Sequence, residues 1–403
     1  MPPFFDNEEI RERRICSNCV GEAYLCNEIN NIGEQGDCHY CGESGNCFSI
    51  EDMAERIETA FEQHYYRTSN EPEAYELALL ADKEIDYNWD RQGEPIVYAI
   101  MNAADIPEEV ALDIQKLLEE KHFDYDAAKM GAESEFAEDS CYEESKTSDA
   151  RWQLQWKEFE CSLKTEARFF SRFAMSMLTT VFEGIDSLQT RGGEALIVDA
   201  GPDTDCSTIY RARTFQSPEN LEKSLARPDL HIGPPPPAQA RAGRMNAHGI
   251  SVFYGSNVPN AAIAEVRPPV GSQVVVAQFQ IIRPIRLLNL QALSEVAIYG
   301  SIFDTTLKER LERVAFLRNL SELITVPVMP KKETLEYLAT QAITDFLATV
   351  NAPTVDGILF PSAQVAGRAQ NFVLFHKAAR VEEITLPEGA EIDVRIGNMT
   401  EYG

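Results

Sequence analysis

The chain has 403 residues, of which 44% are hydrophobic, and this is enough for roughly two or three domains with buried cores. Its formal net charge of −29 is uneven: residues 1–190 hold 42 acidic and 16 basic residues, against 23 and 20 in residues 191–403. Such an acidic N-terminal half repels phosphate backbones, which argues against a nucleic-acid partner. The charge indicates either simple solvation or a basic or neutral protein partner.

The sequence shows no membrane or export segment. No apolar run approaches the roughly 18 residues that a membrane span requires. The first nine residues carry charges where a signal peptide would be apolar. We therefore expect a cytoplasmic protein with no membrane partner.

The first element along the chain is a cysteine cluster. Six of the nine cysteines lie in the first 47 residues, and four of them, Cys16, Cys19, Cys38 and Cys41, have the spacing C-x2-C-x18-C-x2-C. This spacing is typical of structural zinc sites, in which four thiolates close a tetrahedron and leave no position for water. A disulfide cluster is the alternative, which a reducing compartment disfavours. The sequence thus predicts a zinc-binding knuckle over residues 1–48, and it assigns no role to the other five cysteines.

Residues 49–190 are predicted to form an acidic, all-helical domain. Glycine is scarce there, and the apolar residues recur at near-helical spacing. The acidic segment 131–147 is predicted to be an exposed loop.

Strands and helices alternate in residues 191–403, which predicts an α+β domain. Predicted strands cover residues 195–198, 208–211, 250–254, 274–279, 357–360 and 372–375, and predicted helices cover residues 261–265, 303–322 and 333–350. Asn260 is expected to cap the first of these helices.

Residues 244–265 carry three polar groups that suit one kind of ligand. An arginine fork such as that of Arg244 can hold a pyrophosphate, and the Tyr254 ring can stack on a pyridinium. The Glu265 carboxylate can stabilise a ribosyl cation. Together these groups would suit a dinucleotide with a cationic nicotinamide. The alternative is a surface ion pair between Arg244 and Glu265, with Tyr254 as a half-buried strand residue.

Ordered sequence blocks extend this pattern on both sides. They are Tyr210-Arg211-Ala212-Arg213, Gly243-Arg244-Met245-Asn246, Phe253-Tyr254, Ala261-x-x-Ala264-Glu265-Val266, residues 356–362 (DGILFPS) and residues 371–375 (NFVLF). In this order they resemble the RES domain, over roughly residues 195–380. The resemblance implies an ADP-ribosyltransferase-like mixed sheet and a bacterial toxin, often paired with an antitoxin, that degrades NAD. The family's NAD-contacting positions correspond to Arg211, Arg244, Tyr254, Glu265 and Ser362.

The chemistry of the expected substrate explains why one acidic residue is sufficient. Ordinary glycoside hydrolysis needs two carboxyl groups, because the leaving oxygen must be protonated. Nicotinamide leaves as a neutral molecule from a cationic precursor, so Glu265 alone would stabilise the oxocarbenium-like transition state. Arg211 and Arg244 would bind the pyrophosphate, and Ser362 would be a neutral hydrogen-bond partner. We expect Glu265, Tyr254 and Arg244 to serve catalysis, and Arg211, Arg244, Tyr254 and Ser362 to bind NAD.

The sequence therefore predicts an NAD glycohydrolase toxin that yields nicotinamide and ADP-ribose and acts in growth arrest or defence. Transfer of ADP-ribose to a protein, phosphorolysis, and NAD sensing without turnover remain alternatives. The N-terminal half resembles the HEPN-type extension of some longer RES proteins but lacks the R-x4-6-H motif that HEPN ribonucleases require. Expected partners are NAD, an antitoxin or other regulatory protein, and a second copy of the chain in a homo-oligomer.

Overall fold

The computed structural model describes residues 7–325 and 333–384, apart from residues 83, 85, 366 and 368. The chain forms two compact units. The first contains the residues up to 148 together with residues 299–312, and the second contains residues 149–298 and the residues from 313 onward. Within the described part of the chain, no helix has both the length and the apolar character needed to cross a membrane.

The first unit is mainly helical and includes two small sheets. Its helices are α1 (Glu8–Arg11), α2 (Ala23–Ile32), α3 (Ile50–His64), α4 (Ala74–Ala81), α5 (Ile96–Ala104), α6 (Glu108–His122) and α7 (Tyr125–Lys129). Its strands are β1 (Arg14–Cys16), β2 (Glu34–Asp37), β3 (Ser44–Ser49), β4 (Tyr65–Arg67), β5 (Glu94–Pro95) and β6 (Cys141–Glu144). They pair in the orders β1-β3-β2 and β4-β6-β5.

The acidic domain is therefore helical with an added three-stranded sheet. Strand β6 lies inside the segment 131–147, which the sequence analysis assigned to an exposed loop. Phe136 and Tyr142 of this segment are buried against Phe61 of α3. The loop prediction was wrong at this point, because it rested on the high acidic content and did not take these two buried aromatic residues into account.

The cysteine segment shares its core with the helices that follow it. Ile15, Leu25 and Ile29 belong to the same buried cluster as Ile57 of α3 and Ile114 of α6. The segment is thus one part of the first unit and shares the main hydrophobic core of that unit.

The second unit surrounds a seven-stranded mixed sheet. Its helices are α8 (Ala150–Thr165), α9 (Arg172–Phe182), α10 (Pro218–Ala226), α11 (Pro228–His231), α12 (Pro259–Val266), α13 (Leu290–Ser294), α14 (Leu307–Thr325, whose first residues belong to the first unit), α15 (Glu333–Glu336) and α16 (Leu338–Thr349). Its strands are β7 (Gln189–Thr190), β8 (Ile197–Ala200), β9 (Thr208–Phe215), β10 (Phe253–Ser256), β11 (Gln273–Gln280), β12 (Ile285–Asn289), β13 (Val296–Ala297), β14 (Gly357–Pro361) and β15 (Gln370–Leu374).

The strand order of the large sheet is β11-β9-β10-β15-β14-β12-β8, and only the β12–β14 pair is parallel. Neighbouring residues on a strand point to opposite faces, so Leu287 and Leu359 join one buried cluster while Leu288 and Ile358 join another. The sheet has a core on each face. The predicted α+β class with a mixed C-terminal sheet is confirmed.

Helices α8 and α9 belong to this second core. Trp156 and Phe159 of α8 and Val181 of α9 are at most 3% exposed and pack in the cluster that contains Ile358. The predicted acidic helical domain includes residues 149–190, whereas the structure divides the chain after Ser148. The amphipathic pattern of a helix indicates that one face is buried, but it does not indicate which domain covers that face.

Candidate active site

The candidate site is a cavity of about 250 Å³ that opens where two strands of the large sheet separate. Strand β9 pairs with β11 at eight positions, but it pairs with β10 only at Tyr210 and Ser256. Gly255 permits this single close approach, because a Cβ atom there would overlap Ile209 and lie 2.8 Å from the Tyr210 carbonyl oxygen. The cavity is lined by Arg211, Ala212, Tyr254, Gly255, Ala262, Glu265, Val266, Phe360, Asn371 and Phe372.

Glu265 enters the cavity from the last turn of α12. Its Oε1 atom accepts a hydrogen bond from Asn371 Nδ2 at 2.7 Å and another from Ser362 Oγ at 3.2 Å. The C-terminal end of a helix disfavours negative charge, so these two donors offset an unfavourable location for a carboxylate. The result is a carboxylate held in one orientation.

The start of α12 differs from the prediction. Val258 is the N-cap residue and makes no side-chain cap, and Pro259 occupies the first turn, so Asn260 lies inside the helix. Proline suits this position because its missing N–H would have no partner there. The predicted cap at Asn260 was wrong.

Arg211 reaches the cavity from β9 and is incompletely paired. Its guanidinium lies 5.1 Å from the centre of the Phe253 ring, and its Nη1 atom is buried with no hydrogen-bond partner within the described residues. Burial, with a smaller contribution from nearby Arg213, lowers the pKa of Arg211 to about 10, so the group stays charged at neutral pH. A buried donor without a partner is costly and is rarely retained without a reason. A ligand oxygen would satisfy it.

Tyr254 has a fixed hydroxyl and is 38% exposed overall. The hydroxyl donates to Asn246 Oδ1 at 3.1 Å and accepts from the Met245 N–H at 3.4 Å. Burial raises the pKa of Tyr254 to about 12, so the phenol is neutral. A Cβ atom at Gly243 would lie 2.8 Å from Asn246 Oδ1, so glycine leaves room for this pair. The ring of Tyr254 is thereby positioned in the cavity wall.

Arg244 lies outside the cavity lining. Its Nη1 atom donates to the Ile324 carbonyl oxygen at 2.6 Å, and its guanidinium lies 5.5 Å from the Tyr337 ring. Thr340 Oγ1 donates to the backbone oxygen of Arg244 at 2.6 Å and fixes this segment against α16. Arg244 forms no ion pair with Glu265 in the part of the chain that the structure describes.

The structure therefore brings Arg211, Tyr254 and Glu265 together in one cavity and joins Ser362 to them through Glu265. It leaves Arg244 outside the cavity lining, although its positive charge is near enough to act on the pKa of Tyr254. The cavity also contains Asn371, which is not among the predicted site residues. Asn371 faces Phe360 across the β14–β15 pair and is 6% exposed. Its only sequence signal is a polar residue that follows Gln370 at the start of a strand whose last three residues are apolar.

A larger cavity of about 850 Å³ lies elsewhere in the second unit, beside β11 and residues 377–384. Two of its charged groups already have ion-pair partners: Asp229 pairs with Arg227, and Arg283 pairs with Asp356. Within the described residues, none of its lining side chains has a buried, unpaired polar atom. The smaller cavity has both a charged functional group and unpaired polar atoms, and it is the better candidate.

The four cysteines of the first unit form a separate site. Their sulfur atoms lie within 4.8 Å of one another, with Sγ–Sγ distances of 3.6 Å for Cys16–Cys41, 3.8 Å for Cys19–Cys38 and 3.9 Å for Cys16–Cys19. A tetrahedral ion with metal–sulfur bonds of about 2.3 Å requires edges of about 3.8 Å. Gly42, at φ +75°, closes the second knuckle with an N–H bond to the Cys38 carbonyl oxygen. The cluster has the geometry of a four-thiolate metal site.

The electrostatics of the cluster favour a thiolate at one position. Burial raises the pKa of Cys38, but the backbone N–H groups around its sulfur outweigh this and lower the pKa to about 7. Burial raises the pKa of Cys19 well above its usual value. Cys26 and Cys47 donate instead to backbone carbonyl oxygens and lie outside the four-sulfur set.

The fold and the site together define a mixed-sheet α+β domain with a single oriented carboxylate in a small cavity beside an unpaired arginine. Residues 208–395 match the model of the RES domain family, so this part of the chain is a RES domain. The match begins at β9 and spans every site residue from Arg211 to Asn371. No curated protein matches the chain. The family assignment connects the domain with NAD chemistry.

Proposed function

We propose that the RES domain is an NAD glycohydrolase that cleaves NAD to nicotinamide and ADP-ribose. The observation that carries this proposal is the Glu265 carboxylate, oriented by Asn371 and Ser362 in a cavity that also contains the unpaired Nη1 atom of Arg211. Both a negative group for a developing cation and a positive group for a phosphate are thus present.

The reaction needs one carboxylate only. The bond between C1′ of the ribose and the pyridinium nitrogen breaks, its electron pair stays on nitrogen, and nicotinamide leaves as a neutral molecule. Water attacks C1′ and releases a proton to solvent. Glu265 stabilises the cationic transition state more than the ground state, because positive charge moves from the departing ring to the ribose next to it.

The size of the cavity determines which part of NAD it encloses. At about 250 Å³ it is smaller than the roughly 300–1,000 Å³ of common small-molecule sites. It therefore suits the nicotinamide ribose and not the whole dinucleotide. Tyr254 would stack on the ring, and Arg211 would bind the adjacent phosphate. Arg244 would meet the dinucleotide outside this cavity, through the guanidinium nitrogens that do not bond the Ile324 carbonyl oxygen.

The test is NAD consumption by the full-length protein and its Glu265→Gln and Glu265→Ala variants. Glutamine keeps an acceptor for Asn371 and Ser362 and removes only the charge, so its fold should be preserved. We expect nicotinamide release by the wild type and its loss in both variants. Full turnover by either folded variant would refute the mechanism.

Labelled NAD distinguishes the alternative reactions. Free ADP-ribose supports hydrolysis, label on protein indicates transfer, and dependence on inorganic phosphate indicates phosphorolysis. Saturable NAD binding without nicotinamide release would identify a sensor. An enzyme that depletes NAD must be restrained in its own cell, so we also propose a regulatory protein partner and growth arrest on unrestrained expression, measurable as cell growth with wild-type or Glu265→Gln protein.

We propose zinc for the four-cysteine cluster. The sulfur–sulfur distances fit a tetrahedral ion, and four thiolates leave no open position for a reacting water. When bound, the ion would link the two knuckles and stabilise the first unit, with no part in NAD cleavage.

A further inference from the structure

The two polar atoms of the Asn371 side chain differ, because one is paired and the other is not. Its Nδ2 atom donates to Glu265 Oε1 at 2.7 Å, and its Oδ1 atom is buried with no partner within the described residues. A carboxylate only accepts, so the orientation of the amide is fixed, with nitrogen toward Glu265. The oxygen is left as a buried acceptor beside the cavity that Asn371 lines.

Unpaired buried side-chain atoms are few and are concentrated here. Of the five that the described residues contain, two belong to residues that line this cavity: Arg211 Nη1 and Asn371 Oδ1. A buried acceptor that makes no hydrogen bond carries a free-energy penalty of about 1–3 kcal/mol. A substrate hydrogen-bond donor would remove this penalty, which gives Oδ1 a binding role.

The two donors on Glu265 leave one of its oxygens available. Both Asn371 Nδ2 and Ser362 Oγ use Oε1, and neither uses Oε2. Oε2 is therefore the oxygen left for a ligand. The free acceptor of Asn371 belongs to the same planar amide whose nitrogen holds Oε1.

We propose that Glu265 and Asn371 form a clamp for the two neighbouring hydroxyls of the nicotinamide ribose, an inference that rests on the proposed function. Glu265 acts at C1′, so it holds the 2′-hydroxyl on the adjacent carbon. Asn371 Oδ1 accepts from the 3′-hydroxyl, one carbon further. Asn371 is thus a substrate-binding residue through its oxygen and a positioning residue for Glu265 through its nitrogen.

The test compares NAD with an analogue in which hydrogen replaces the 3′-hydroxyl of the nicotinamide ribose. For the wild type we expect KM to rise by roughly 2- to 10-fold on the analogue, the effect of one neutral hydrogen bond. For Asn371→Ala we expect equal KM values for the two substrates. We also expect kcat to fall roughly 10- to 100-fold on both substrates, because Glu265 loses its stronger donor.

Two further variants separate the two roles. Asn371→Asp keeps the acceptor and places a second carboxylate against Glu265, so it should retain the wild-type preference for NAD over the analogue. Its kcat should fall, and the acidic limb of its pH–rate profile should move upward, because two like charges at this distance cannot both ionise easily. Ser362→Ala is the matched control, which loses the longer bond and should retain the same preference.

A wild-type preference for NAD over the analogue in folded Asn371→Ala would overturn the clamp. Wild-type kcat and pH profile in Asn371→Asp would overturn the positioning role. If the wild type turns over no NAD, the proposed function fails separately, and equilibrium binding of NAD and the analogue to wild type and Asn371→Ala then decides the hydroxyl contact.

Discussion

Arg211 is expected to lower the stability of the ligand-free fold and to strengthen ligand binding. Its Nη1 atom is buried without a partner, and a buried donor in this state costs about 1–3 kcal/mol. Methionine has a similar length and no polar N–H group. We expect Arg211→Met to stabilise the ligand-free protein by about 1–3 kcal/mol, which raises Tm by roughly 2–12 °C for a unit of this size.

The same substitution should weaken NAD binding. A hydrogen bond between charged groups contributes about 1.5–3 kcal/mol, so the Kd for NAD should rise roughly 10- to 150-fold. Thermal unfolding with and without NAD measures both effects, and a Glu265→Gln background prevents turnover during the scan. The variant should unfold at a higher temperature alone and gain less from NAD.

Arg213→Met is the matched control on the same strand. Arg213 is exposed, donates to the His231 carbonyl oxygen and lies outside the cavity lining. Because it adds only the smaller, like-charge contribution at Arg211, we expect this control to give a much smaller gain in Tm than Arg211→Met and a nearly unchanged response to NAD. A lower Tm for ligand-free Arg211→Met, or NAD binding as tight as that of the parent protein, would refute the reasoning.

The pH dependence of the Arg211→Met gain has a definite sign. Burial lowers the pKa of Arg211 to about 10 in the folded state, below its ordinary value. Below pH 10 the group is charged in both states, so the full gain of the variant is expected there. As the pH rises through about 10, the folded wild type releases this proton before the unfolded chain does, and the gain should shrink.

Two further predictions test the core and the cysteine cluster. Phe159→Ala in α8 should lower the free energy of unfolding by about 3–5 kcal/mol and make NAD consumption less heat-resistant. Leu154→Ala on the same helix, where the side chain is 61% exposed, should change neither quantity. Unchanged heat resistance of NAD consumption in Phe159→Ala would contradict the assignment of α8 to the second unit. Cys16→Ser should lower the zinc content of the purified protein from about one ion per chain and lower the Tm of the first unit. Cys161→Ser, at an exposed cysteine, should keep the wild-type zinc content and Tm. A zinc content in Cys16→Ser equal to that of the wild type would contradict the four-thiolate site.

Much of the second unit follows from local sequence patterns. The strand predicted at residues 208–211 begins where β9 begins, and the strand predicted at 357–360 matches β14 within one residue. Apolar, β-branched runs bounded by turn residues carry this information. The fixed spacing of Cys16, Cys19, Cys38 and Cys41 likewise anticipated their cluster, because each pair lies within one tight turn.

The remaining features depend on contacts far apart in the sequence. Arg244 meets Ile324 and Glu265 meets Asn371, across 80 and 106 residues, and no local pattern encodes either pairing. The division after Ser148 has the same origin, since the core that α8 joins includes residues of α14, α16, β14 and β15, which come much later in the sequence.

The most direct test of the central claim is nicotinamide release from NAD by full-length wild-type and Glu265→Gln protein, with thermal unfolding to show that both are folded. The proposed mechanism predicts release by the wild type and a kcat at least about 100-fold lower for the variant, because an oriented charge aimed at the transition state is removed. Equal release by the two folded proteins would contradict it.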